Sequence, residues 1–124
     1  MGMKVNGTSG LTFPDTTTLA SAGQASVRAW VNFNGTGTPA IRAAYNVTSI
    51  TDDATGIYTL NFTTALPDAN YAVLSMSSSV TGAPPVTMHQ FQNTPATASS
   101  VKIYADVPGT GQVDSPNIYA AVFR

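Results

Sequence analysis

The chain has 124 residues, which is room for one domain with a real hydrophobic core, and its 43% hydrophobic content rules out a disordered tail. Only 9% of residues are charged, against about 25% in an average soluble domain, and Glu is absent altogether. The net charge is −1 and the five cations, Lys4, Arg28, Arg42, Lys102 and Arg124, are scattered, so no basic stripe exists to neutralise nucleic-acid phosphates. Cys is also absent, which excludes disulfides and thiol chemistry, and no apolar run reaches the length of a membrane span.

Residues 1–24 are rich in Gly, Thr and Ser, with single apolar residues at Val5, Leu11, Phe13 and Leu19. Isolated apolar side chains cannot build a core of their own. This segment is expected to be a linker or an extended stem in which copies of the chain bury those side chains together.

From residue 27 onward the pattern has period two, and no helical period is sustained. Val27, Ala29, Val31 and Phe33 alternate with Arg28, Trp30 and Asn32. Similar alternation predicts strands over 27–33, 41–47, 57–64, 70–78, 86–91, 100–106 and 117–123. The stretch 71–76 is apolar at both parities, which suggests a central strand buried on both sides. Between the strands lie turn residues, at 34–37, 52–56, 67–70, 82–85 and 108–111. The chain therefore reads as all-β: an antiparallel β-sandwich of about seven to eight short strands over residues 25–124, with the stem over 1–24.

Several residues invite a chemical reading. Gly35-Thr36-Gly37-Thr38-Pro39-Ala40 superficially fits a dinucleotide-binding G-x-G-x-x-A pattern, but the residues that follow alternate like a strand, so a hairpin loop is expected. Asp52 and Asp53 resemble a catalytic carboxylate pair, but neighbours in a strand point to opposite faces and the local sequence reads as a turn. Asp106 and Asp114 flank the 108–111 turn and read as solvated loop charges rather than a cation site. His89 is the only His. Alone it makes no metal site, although three copies on a threefold axis could share an ion. Trp30, Tyr104 and Tyr119 fall on the opposite parity from the apolar face of their strands. They are expected to pack on a second layer, at a subunit interface or against a ligand.

Four stretches carry a family resemblance: Leu11-Thr12-Phe13-Pro14-Asp15 with the threonines after it; Arg28-Ala29-Trp30-Val31-Asn32-Phe33-Asn34-Gly35-Thr36-Gly37-Thr38 with Ala40-Ile41-Arg42; Tyr58-Thr59-Leu60-Asn61-Phe62-Thr63-Thr64-Ala65-Leu66-Pro67-Asp68-Ala69-Asn70-Tyr71; and Ile118-Tyr119-Ala120-Ala121-Val122-Phe123-Arg124. In order and spacing they resemble the terminal, receptor-binding domains of bacteriophage and prophage tail fibres. Residues 78–116 carry no such match. The resemblance implies a homotrimer of the virion, attached to an upstream fibre shaft and made in the bacterial cytoplasm. It implies binding to a host surface glycan or outer-membrane receptor, with no enzymatic activity, cofactor, nucleic acid or membrane insertion.

Within that reading the receptor should meet loops at the end of the sandwich away from the stem, where the 34–38 loop is expected. The expected contacts are Gln112 and Asp114 in the 108–115 loop, with His89 and Asn93 as neighbours. Ala at Gln112 and Asp114 should then weaken adsorption without lowering the melting temperature. A purely structural virion module and a capsule depolymerase are the rival readings.

Overall fold

The computed structural model describes residues 4–6, 10–12, 18–19, 27–78, 83–90 and 93–124, and these contain twelve strands and no helix. In the first two dozen residues, β1 (Lys4–Asn6), β2 (Gly10–Thr12) and β3 (Thr18–Leu19) form a three-stranded antiparallel sheet. The remainder of the expected stem lies outside the described residues.

The rest forms two antiparallel sheets that share one core. One sheet holds β5 (Ala40–Tyr45), β4 (Val27–Asn34), β12 (Ile118–Phe123) and β8 (Ala72–Ser77), in that order. The other contains β6 (Val47–Ala54), β7 (Ile57–Phe62), β9 (Thr87–Gln90), β10 (Ser100–Val107) and β11 (Gly111–Gln112). Strand β10 is its spine. β7 and β9 pair along it, and β11 continues the β7 side past Gly56: the Ala105 N–H donates to Gly56 O, and the Ala105 carbonyl accepts from Val113 N–H.

Period-two alternation in the sequence becomes alternation of burial in space. Ala29, Val31 and Phe33 of β4, Tyr58, Leu60 and Phe62 of β7, Val101, Ile103 and Ala105 of β10, and Ile118, Ala120 and Val122 of β12 all point into the layer between the sheets. Burying each large member contributes about 1.5–3 kcal/mol. Phe33 and Tyr58 meet edge to face across that layer, with ring centroids 5.3 Å apart.

Three expectations need correction. The predicted strand over 41–47 ends at Tyr45, because Asn46 takes a left-handed conformation (φ 54°) and turns the chain. Its side chain fixes that turn by donating to Arg28 O and Thr64 O and accepting from Thr64 N–H. An additional strand, β6, follows, and it absorbs Asp52 and Asp53, so the expected 52–56 turn shrinks to Thr55–Gly56. Register shifts at both ends of β6 break its alternation, and apart from Val47 and Ile50 it faces solvent. Finally, β8 is not a central strand. It is the last strand of its sheet, and its apolar residues at one parity, Leu74 and Met76, are exposed.

Candidate functional site

The strands separate the loops into two groups. At the end where β4 begins, Asn46 bonds Arg28 and Thr64, Leu66 N–H donates to Ala98 O, the Tyr71 hydroxyl donates to Thr97 O, and Arg124 pairs with Asp68. At the opposite end, Gly35 N–H donates to Ser115 O, Gly56 N–H donates to Asp114 Oδ1, and Ser78 N–H donates to Asn117 O. The loops after β4, β6 and β10, and the described residues that follow β8, thus lie at the end away from Val27.

The bases of these far-end loops are locked into the core. The Tyr58 hydroxyl reaches out of the sandwich to 2.9 Å from Gly35 O and 3.0 Å from Asp114 Oδ1, two acceptors that share its one proton. Burial first, then the hydrogen bond and charge of Asp114, push the Tyr58 phenol well above its ordinary range. The buried Ser115 hydroxyl shares a 2.6 Å hydrogen bond with Ser77. Between Ser78, Ala83 and Pro84 on one side and residues 113–116 on the other lies a groove of about 190 Å³.

Running back from this end, the outward face of the β10 sheet is polar. Residues directly opposite each other in antiparallel strands share a face. Gln112, Asp106 and Thr87 therefore form one row, and Tyr104 and His89 form the next. The His89 and Tyr104 rings stack, with centroids 4.9 Å apart and planes 20° from parallel. His89 Nε2 lies 3.2 Å from Thr87 Oγ1 and 3.4 Å from Asp106 Oδ1, and the Thr87 hydroxyl also donates to that carboxylate oxygen. Further along, Lys102 pairs with Asp53 at 3.2 Å, and Thr59 Oγ1 donates to the same carboxylate at 2.6 Å. Asn61 Nδ2 donates to Thr51 Oγ1 at 2.9 Å. The face offers hydroxyls, an amide, carboxylates and a flat aromatic stack side by side. Such a set can hydrogen-bond several hydroxyls of a ligand while a ring covers its apolar side. Among the described residues no cluster of three His, Asp or Glu side chains is placed to hold a metal ion.

The expected contact residues are only partly brought together. Gln112 and His89 sit in adjacent rows of this face. Asp114 is instead a tether, its Oδ1 engaged by Gly56 and Tyr58, so it and Asp106 serve different neighbourhoods. Asn93 belongs to the connection between β9 and β10 that leads toward the opposite end of the sandwich, where Thr97 and Ser100 meet Tyr71. Sequence reasoning missed Thr87 and Asp106 as members of the face. The off-parity position of Tyr104, on the same side of β10 as Asp106, was the available signal.

The outward face of the other sheet is different in kind. Trp30, Tyr45, Leu74, Met76 and Tyr119 all project from it, and Trp30 and Tyr119 therefore belong to an outer surface and not to the core. Compared with known proteins, the chain matches no family model, no curated protein and no solved structure.

Proposed function

We propose that this chain is the terminal domain of a bacteriophage tail fibre, a homotrimeric tip that binds a host-cell surface polysaccharide and performs no chemistry. The observation that carries the reading is how the four resembling stretches divide from the rest of the domain. Three of them fall on framework: β4 with the loop after it, β7 with the 63–71 connection, and β12. The unmatched residues 78–116 supply β9, β10 and β11, and with them the row Gln112–Asp106–Thr87 and the His89–Tyr104 stack. A framework that carries the resemblance, with a polar and aromatic surface that does not, suits a domain whose ligand changes from host to host. Binding through a few hydroxyl contacts is weak at each site, and three sites per fibre raise it by avidity.

The test is binding of fluorescently labelled protein to a panel of bacterial cells and their purified surface polysaccharides. A strain that binds the wild-type protein should bind Thr87→Ala with Gln112→Ala about tenfold less, which is the loss of one or two net hydrogen bonds per site. Undiminished binding by that variant would refute the assignment of the face. Absence of binding to every strain would favour a purely structural virion module, and release of reducing sugar would favour a depolymerase.

A further inference from the structure

The sandwich divides its charge between its two sheets. The strands of the β10 sheet carry three carboxylates, Asp52, Asp53 and Asp106, and one ammonium, Lys102. The strands of the other sheet carry Arg28 and Arg42 and no carboxylate. On the polar face, Lys102 is already engaged: Asp53 Oδ1 lies 3.2 Å from its ammonium, and Thr59 Oγ1 donates to the second oxygen of the same carboxylate. That pair cancels its own charge. No Lys, Arg, Asp or Glu lies between Asp68 and Lys102 in the chain, so the segments on either side of β9 bring no further charge to the face. What remains beside the His89–Tyr104 stack is the carboxylate of Asp106.

The surroundings of Asp106 leave it one oxygen to offer. Thr87 Oγ1 donates to Oδ1, and His89 Nε2 lies 3.4 Å from that same atom, while no described residue bonds Oδ2. The imidazole beside it is open as well. Tyr104 covers one side of the His89 ring, β9 pairs with β10 alone, and 47% of the His89 side chain is exposed. A sugar ring laid on that imidazole comes within reach of the Asp106 carboxylate.

We infer that this face selects polysaccharides bearing unsubstituted amino groups, with the sugar ammonium paired to Asp106 and the sugar ring on His89, and that it disfavours acidic ones. The inference rests on the proposal above that the face binds a host polysaccharide, and adds which kind. A carboxylate holds an ammonium more strongly than a hydroxyl, because donor and acceptor are both charged. An N-acetyl group removes that charge and leaves one N–H donor in place of three. A uronate or a phosphate sets a second anion beside Asp106, where the sheet's one ammonium is taken by Asp53.

The experiment uses the purified full chain and three probes: oligomers of glucosamine, of N-acetylglucosamine and of galacturonic acid. Each is titrated into the protein by calorimetry and used to displace labelled protein from cells of a strain that it binds. The glucosamine oligomer should bind about tenfold more tightly than the N-acetylated one, and the acidic oligomer should bind least. High salt should shrink the first difference, because the pair lies at the surface. Asp106→Asn keeps an oxygen acceptor for Thr87 and removes the charge. It should bind the first two oligomers alike, with an unchanged melting temperature. If that variant does not fold, the order of the three probes and its salt response in the wild-type protein decide the matter. Equal binding of the first two oligomers, tightest binding of the acidic one, or a glucosamine preference that survives in Asp106→Asn overturns the inference. Cell binding that none of the three oligomers displaces or shares overturns it too, and leaves the receptor reading standing. A glucosamine preference in a protein that binds no strain upholds the inference and refutes the receptor reading.

Discussion

The hydroxyl of Tyr58 in the core lies 3.0 Å from Oδ1 of Asp114, 56 residues further along the chain. The same oxygen accepts the Gly56 N–H at 2.7 Å, so one carboxylate joins the β6–β7 turn to the loop after β11. Asp114→Ala leaves the Gly56 donor unmatched and should cost about 1–3 kcal/mol; Tyr58→Phe should cost about 1 kcal/mol. For a domain of this size, each kcal/mol lowers the melting temperature by roughly 4–8 °C. Asp114→Asn, which keeps the acceptor, should be milder. Thermal melts of the three variants check this, and an unchanged melting temperature for Asp114→Ala would restore it as a free contact residue.

Alkaline pH should weaken the fold through two tyrosines. Burial pushes the Tyr71 phenol up to about 12 and holds Tyr58 well above the usual value. A phenol raised in the folded state contributes stability that is fully present below its unfolded value of 10.0. That contribution is lost as pH rises through the folded values. Urea midpoints should therefore be steady up to about pH 10 and fall beyond it. The variant carrying Tyr58→Phe and Tyr71→Phe should show a flatter decline, and equal slopes would contradict the assignment.

Acid should act at the end where β4 begins. The Asn70 N–H, then the Arg124 side chain, hold the Asp68 carboxyl below its ordinary 3.8. A carboxylate lowered in the folded state stabilises above the unfolded value and loses that contribution as pH falls below it. The loosening should begin below about pH 4 and be modest, because the group is exposed. Proteolysis or exchange at Arg124 and Asp68 reads it, and Asp68→Asn should abolish the pH dependence.

Two glycines with positive φ should respond differently to alanine. At Gly56 (φ 69°) a Cβ meets Ala105 O, Val113 N and Val113 O at 2.7 Å, all backbone of the joint beside β11. At Gly109 (φ 81°) it meets nothing within 4 Å. Gly109→Ala should cost only the strain of the left-handed conformation, about 1–2 kcal/mol. Gly56→Ala should cost clearly more, and denaturant titrations that rank the two the other way would contradict the packing.

Strands β4, β7, β10 and β12 were legible because their apolar residues keep one parity and meet one core. β6 was hidden for the opposite reason: Thr48, Ser49, Thr51, Asp52 and Asp53 look like turn chemistry, and bulges interrupt the phase. The apolar residues of β8 suggested burial on both faces, because sequence does not distinguish a side chain that meets the core from one that awaits another surface. Of the polar face, Gln112 was singled out from its loop and His89 as its neighbour, but nothing in the sequence showed that Thr87 and Asp106 share their rows. The role of Asp114 was not, because its partner is set by a contact between distant segments.

The far-end loops combine bases tied to the core with tips that have open space beside them. Gly35, Gly56, Asp114 and Ser115 are tied to the core, while at Gly37 and Gly109 an added side chain meets open space. Room for a side chain at positions 37 and 109 is thus separate from the pins beneath them. The same separation would let substitutions at the tips change the surface they present while the pins beneath hold the fold constant.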